Sequence, residues 1–227
     1  MRRLAFALAA FAVLTAAGCN VPWNPTTPTR IGSGVAASQE RPIGAIDQIV
    51  LQGAMDIEVT IDVASKLTVE ADDNLLEIIT TELQGTRLVV SSRENYRSRL
   101  GVKVKIATPA VRSILLSGSG KITATGVSGP EFEGTIRGSG DVAATGSVND
   151  LRATIAGSGD LDLSRLEAKD VAVTISGSGN VTVHATETLD ATIAGSGDIV
   201  YHGQPKVRKT IRGSGNVRPA RQESLPR

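Results

Sequence analysis

ATIAGSGDLDL, residues 153–163, places an aliphatic Ile155 two positions before a Gly-Ser-Gly and an aliphatic Leu161 four positions after its first Gly. The frame returns as TISGSGNVTV at 174–183 and as ATIAGSGDIVY at 191–201. In full, Gly-Ser-Gly stands at 118–120, 138–140, 157–159, 177–179, 195–197 and 213–215, at spacings of 20, 19, 20, 18 and 18 residues. Recurrence at a nearly fixed interval marks a stacked-coil architecture, in which one repeat cannot bury its apolar face without its neighbours.

Aligned on the first Gly, the position two before it reads Leu116, Ile136, Ile155, Ile175, Ile193 and Ile211, and the position four after it reads Ile122, Val142, Leu161, Val181, Ile199 and Val217. Stepping back by two from the first column gives Gly134, Ala153, Val173, Ala191 and Lys209, then Phe132, Leu151, Val171, Leu189 and Val207. Alternation with period 2 is a strand pattern. The intervening column, Leu115, Thr135, Thr154, Thr174, Thr192 and Thr210, is β-branched and polar after its first member, which suits an outward stacked position. The expected fold is therefore all-β: a parallel β-solenoid of 18–20-residue coils, each with at least two strands, turned at corners where Gly supplies backbone angles closed to other residues. A helix is excluded by the paired glycines and dense β-branching.

The position after each tripeptide reads Lys121, Asp141, Asp160, Asn180, Asp198 and Asn216, and stacking brings successive members within about 5 Å. Two roles fit such a column. Asp and Asn cap turns by accepting backbone N–H groups, which is the preferred reading. Alternatively Asp141, Asp160 and Asp198 would hold calcium, as the oxygen-rich turns of nonapeptide β-rolls do, although those turns recur at half the interval found here. Outside that column no metal-ligand spacing exists, and no cofactor is expected. His184 and His202 are the only histidines and neither has a Cys nearby. The repeated Ser lacks the Gly-x-Ser-x-Gly frame and the activating His of a nucleophile elbow, so no catalytic residue is assigned.

The 24 basic and 23 acidic residues almost cancel, so there is no electrostatic case for nucleic acid. Six aromatic residues in 227 fit a core of stacked Ile, Val and Leu and argue against an aromatic-lined sugar cleft.

Residues 1–18 read as an export signal: Arg2 and Arg3 precede an apolar run from Leu4 to Ala17, too short to span a bilayer before polar sequence begins. The following Leu14-Thr15-Ala16-Ala17-Gly18-Cys19 resembles the lipobox of bacterial lipoproteins, departing from it only at Ala16, where that motif most often has Leu. The resemblance implies that Cys19, the single cysteine, becomes a lipid-modified N-terminus and ties the chain to a membrane. Asn20 after it implies the outer membrane if the source is Gram-negative. Residues 19–44, with Pro22, Pro25, Pro28 and Pro42 and a Gly-Ser-Gly at 32–34 without aliphatic columns, read as a tether reaching up to roughly 60 Å.

From 45 to 112 the alternation continues without the tripeptide, at Ile49-Leu51, Ile57-Val59-Ile61, Leu67-Val69, Leu88-Val90 and Val102-Val104-Ile106. This part is expected to form irregular coils or a small sheet capping the repeats of 113–219. Leu75 to Leu83 suits either a strand or one short amphipathic helix. Lys206, Arg208, Lys209, Arg212, Arg218 and Arg221 make the last coil basic, as edge protection rather than a binding patch, before a disordered tail at 220–227.

An export signal, a tether, a β-rich first half ending in Ile106-Ala107-Thr108-Pro109, then Ser117-Gly118-Ser119-Gly120 and its echoes: together these resemble the putative auto-transporter adhesin head GIN domain family over roughly residues 45–219. That resemblance implies a right-handed parallel β-helix in a bacterial envelope protein and carries no active-site residues. A lipid-anchored, non-catalytic binding, adhesin-like or structural module is the expected function, with an envelope or extracellular protein or glycan as partner. The alternative is a carbohydrate-active β-helix enzyme, which needs carboxylates gathered on one face; Asp162, Glu167, Asp170 and Glu187 read as scattered.

Overall fold

The computed structural model describes residues 29–221. The export signal, Cys19, residues 19–28 of the tether and residues 222–227 of the tail lie outside the described residues. In chain order the strands are β1 (Thr29–Ile31), β2 (Ala36–Arg41), β3 (Gln48–Gly53), β4 (Asp56–Ile61), β5 (Lys66–Asp72), β6 (Ile79–Gln84), β7 (Arg87–Ser92), β8 (Asn95–Arg97), β9 (Lys103–Thr108), β10 (Ser113–Gly118), β11 (Lys121–Gly138), β12 (Asp141–Gly157), β13 (Leu161–Gly177), β14 (Val181–Gly195), β15 (Ile199–His202), β16 (Lys206–Gly213) and β17 (Val217–Pro219).

From β10 onward each coil pairs parallel with the next, and the tripeptides set the phase: Gly53, Gly118, Gly138, Gly157, Gly177, Gly195 and Gly213 are successive register partners. Alternation then turns every second side chain inward. Ile136, Ile155, Ile175 and Ile193 form one continuous column, each fully buried, and the column extends backward through Leu116, Leu51 and Val90. A second column runs through Val104, Ile57, Ile122, Val142, Leu161, Val181 and Ile199, all buried. Burying one such side chain contributes about 1.5–3 kcal/mol, and each rung supplies several to its neighbours. The β-solenoid read from the repeat is the fold.

The first half closes the stack in an order unlike the chain order. The β3–β4 coil is flanked by β10 and β11 on one side and by β7 and β9 on the other, so residues 66–108 leave the stack, build its end and return across it. Beyond β7 and β9 the pairing turns antiparallel, with β6 on β7, β5 on β9 and β2 on β5. The outermost strand β2 is exposed or half-exposed throughout and carries Gln39, Glu40 and Arg41, a polar finish to an edge that would otherwise invite pairing. Leu75 to Leu83 forms no α-helix: a 3-10 turn at Asp73–Leu75 leads into β6, whose Thr80 and Thr81 favour the strand.

Residues 29–41 depart from the tether expected for 19–44, because β1 pairs with β8 and β2 with β5. The Gly-Ser-Gly at 32–34 lacks aliphatic columns because it packs around a carboxylate. Asp72 is fully buried and accepts the Gly34 N–H at 2.6 Å and the Ser98 hydroxyl. Gly32 is required there, since a Cβ would come within 2.5 Å of the Asp72 carboxyl carbon. The Ser98 hydroxyl, with the N–H groups of Gly34, Arg99 and Leu100, holds Asp72 below the ordinary carboxylate range against the opposing effect of burial. A depressed folded-state pKa contributes stability that is present above the unfolded value of about 3.9 and is lost as pH falls through the folded value. Asp72→Asn is accordingly expected to melt below wild type at neutral pH and to converge on it in acid. Circular dichroism melts at both pH values check this, and an equal gap at the two would remove the linkage.

Candidate functional site

Three features of the surface carry polar chemistry: the corner stripe, a cleft at its start and the basic last coil. At the corner the first Gly of each tripeptide adopts φ between 135° and 144°, and the following Ser N–H donates along the stack to the Gly carbonyl one coil earlier, as from Ser158 to Gly138 at 2.9 Å. The Ser side chains, Ser119, Ser139, Ser158, Ser178, Ser196 and Ser214, all face solvent in one row.

Beside that row stands the Asp/Asn column. The Asp160 carboxylate accepts the Asn180 N–H at 2.9 Å and its side-chain amide at 3.0 Å; the Asn180 side-chain oxygen accepts the Asp198 N–H at 3.2 Å; Asp198 accepts the Asn216 N–H at 2.9 Å. Asp160, Asn180 and Asp198 thus each cap the next rung. Of the three residues considered for calcium, Asp141 stands one rung from Asp160, and Asn180 separates Asp160 from Asp198. Among the described residues no three His, Cys, Asp or Glu side chains gather as metal ligands.

Asp162, Glu167, Asp170 and Glu187 are exposed in different columns. The register nevertheless aligns Glu131, Asp150 and Asp170 in one outward column, continued by Thr188, whose hydroxyl donates to Asp170, and by Lys206. All three acids stand seven residues before a tripeptide Gly, a count that would have revealed them. His184 and His202 also turn out to be rung partners, with ring centroids 6.1 Å apart.

The cleft opens where the corner stripe starts. Between β3 and β4 the corner takes only Ala54 and Met55, whereas between β7 and β9 the chain runs from Arg93 to Val102. This longer loop and the Gly53 and Gly118–Ser119 corners border an open cleft of about 870 Å³. Arg93, Glu94, Tyr96 and Arg97 line it. Glu94 pairs with Arg30 at 3.0 Å, while Arg93 and Arg97 are exposed and form no ion pair among the described residues. The Tyr96 ring packs on the core, and its hydroxyl is buried without a partner among the described residues. Burial, with the nearby Asp56 charge, pushes its pKa up to about 12. Composition could not reveal this cleft, because its walls come from loops that meet only through the register.

At the other end β16 pairs, among the described residues, only with β14, and every one of its residues is exposed. Val207 and Ile211 continue two core columns at 38 % and 37 % exposure, and between them Lys209 occupies the rung position held below by buried Ala191.

The chain's relatives agree with this architecture. A putative adhesin from Bacteroides fragilis NCTC 9343 superposes with a TM-score of 0.68 at 21% identity, covering 84% of this chain and 99% of that one. A putative lipid binding protein from Parabacteroides distasonis ATCC 8503 gives 0.59 at 24% identity, covering 85% and 100%. A putative adhesin from the same organism gives 0.54 at 20% identity, covering 85% and 100%. No curated protein matches the chain. The family model described as "Putative auto-transporter adhesin, head GIN domain" matches residues 45–205, from just before β3 to the turn between β15 and β16. By that match, over most of its length, the chain belongs to the head GIN domain family.

Proposed function

We propose that this chain is a non-catalytic, adhesin-like binding module of the bacterial envelope, anchored through a lipid on Cys19. The observation that carries the binding role is the outward Thr column, Thr135, Thr154, Thr174, Thr192 and Thr210, held in register across five successive rungs on a rigid core. A flat, ordered face of short polar side chains suits a partner that lies along the rod. The adhesin description of the family supports the same reading, and the lipobox-like Leu14 to Cys19 supports the anchor.

Two measurements test it. Cells expressing the chain are fed a clickable palmitate: wild type is expected to label and to sediment with membranes, and Cys19→Ser to do neither. Equal labelling of the two removes the anchor. Crosslinking in intact cells is then expected to trap a bound envelope or extracellular species. Failure to trap one, together with turnover of a polysaccharide panel by the purified chain, replaces the binding role with a carbohydrate-active one.

A further inference from the structure

We infer that the cleft between the 93–101 loop and the Gly53 and Gly118–Ser119 corners binds an acidic glycan, with a carboxylate of the sugar held by Arg93 and Arg97. This deepens the binding-module reading and rests on it.

The cleft is built where the repeat is broken. Every Gly-Ser-Gly corner is kept short by stacking, and only the β7-to-β9 connection expands into a wall. Its volume, about 870 Å³, lies in the range of ligand pockets. Two arginines without ion-pair partners among the described residues stand on one short segment, while the acid between them, Glu94, is turned to Arg30. Guanidinium groups present planar donor pairs that match a carboxylate, and such charge-assisted bonds are the strong ones.

Tyr96 supplies the independent observation. A buried hydroxyl without an acceptor is costly, and a native structure usually avoids one. Its donor remains protonated at neutral pH, and Tyr96 is one of the residues that line the cleft. An acceptor entering between the arginines gives it the bond that the free protein lacks.

The glycan class follows from what adjoins the cleft. Ser119 lines it and starts the row of exposed hydroxyls that continues through Ser139 and Ser158 to Ser214. A hydroxyl-rich chain leaving the cleft meets donors and acceptors at every rung, roughly 4.8 Å apart. Tyr96 is the one aromatic residue at the cleft, which leaves no platform for stacked nucleobases.

The test uses the full chain in detergent, titrated calorimetrically with oligogalacturonate, its methyl ester and a neutral glucan of equal length. Wild type is expected to bind the acid form alone. Arg93→Ala and Arg97→Ala are each expected to weaken binding about tenfold or more. Arg208→Ala, at the basic far end, is expected to leave it unchanged. Tyr96→Phe is expected to weaken binding while melting no lower than wild type, a combination that a purely structural hydroxyl does not give. Equal affinity for the methyl ester, or an Arg208→Ala loss as large as that of Arg97→Ala, overturns the assignment. No binding of the acid form, with a partner still trapped by crosslinking in cells, overturns the cleft and leaves the binding module standing. Loss of both results removes both.

Discussion

Gly157→Ala is expected to lower the melting temperature by about 10 °C or more, whereas Gly129→Ala lowers it by only about 3–6 °C, although both glycines have nearly the same backbone angle. Gly157 has φ 143° and Gly129 φ 142°, so the conformational penalty of a Cβ, about 1–2 kcal/mol, is shared. Their surroundings differ. A Cβ on Gly129 meets nothing within 4 Å, while one on Gly157 falls 2.1 Å from the Gly138 carbonyl oxygen and 2.9 Å from its carbon. That oxygen accepts the Ser158 N–H, so relieving the clash pulls apart the bond that ties one corner to the next. The same approach recurs at Gly177 on Gly157 and at Gly195 on Gly177, at 2.1 and 2.0 Å. Damage at one rung therefore uncouples the coils on either side, and broad, less cooperative melting is expected besides the lower midpoint. Ser158→Ala, between the two glycines but facing solvent, stays within about 0.5 kcal/mol of wild type. Denaturant and thermal unfolding of the three variants decide the matter. If Gly157→Ala proves as mild as Gly129→Ala, close stacking is not what demands glycine at the corner.

The contrast also explains which parts of the molecule the sequence makes legible. Ile155 over Ile136 and Asp160 beside Asn180 follow from counting from the nearest tripeptide, because a solenoid turns sequence period directly into spatial contact. The acidic column of Glu131, Asp150 and Asp170 is open to the same count, though not to a reading of exposed acids one at a time. The closing end follows another logic. Nothing local in β2 announces β5 as its partner, and nothing near Gly32 announces Asp72, since both pairings join segments some tens of residues apart. Pro and Thr around residues 22–28 suggest a linker running on to residue 44, whereas from Thr29 onward β1 pairs with β8 and β2 with β5. The insertion of β7 and β9 beneath β3 and β4, while β10 lies above, cannot be derived from periodicity, because hydrophobic alternation says which face of a strand is buried but not which strand lies beside it.

Lys209→Val is expected to make the chain associate end to end. In the stack, the position two residues before the Ile column holds Ala153, Val173 and Ala191, each at 1–2 % exposure, and Lys209 is the next partner in that column. An inward-directed cation at the last rung prevents a further strand from docking, because docking would bury the ammonium without a partner. On either side Val207 and Ile211 already offer apolar surface, and the edge of β16 opposite β14 pairs with no other strand among the described residues. A valine between them completes a three-residue apolar rung on an open parallel edge. A second rod end can then add to it with main-chain hydrogen bonds and core burial together. Arg208 and Arg212 point outward and stay exposed, so they resist association only through screened repulsion, and added salt is expected to promote assembly of the valine variant further. Lys209→Glu retains a charge at the rung and is expected to sediment like wild type. Analytical ultracentrifugation of the three proteins at matched concentration reads the outcome. Should Lys209→Val sediment no faster than wild type in low or high salt, the lysine does not guard this edge, and the protection must come from the surrounding arginines or from the bend into β17.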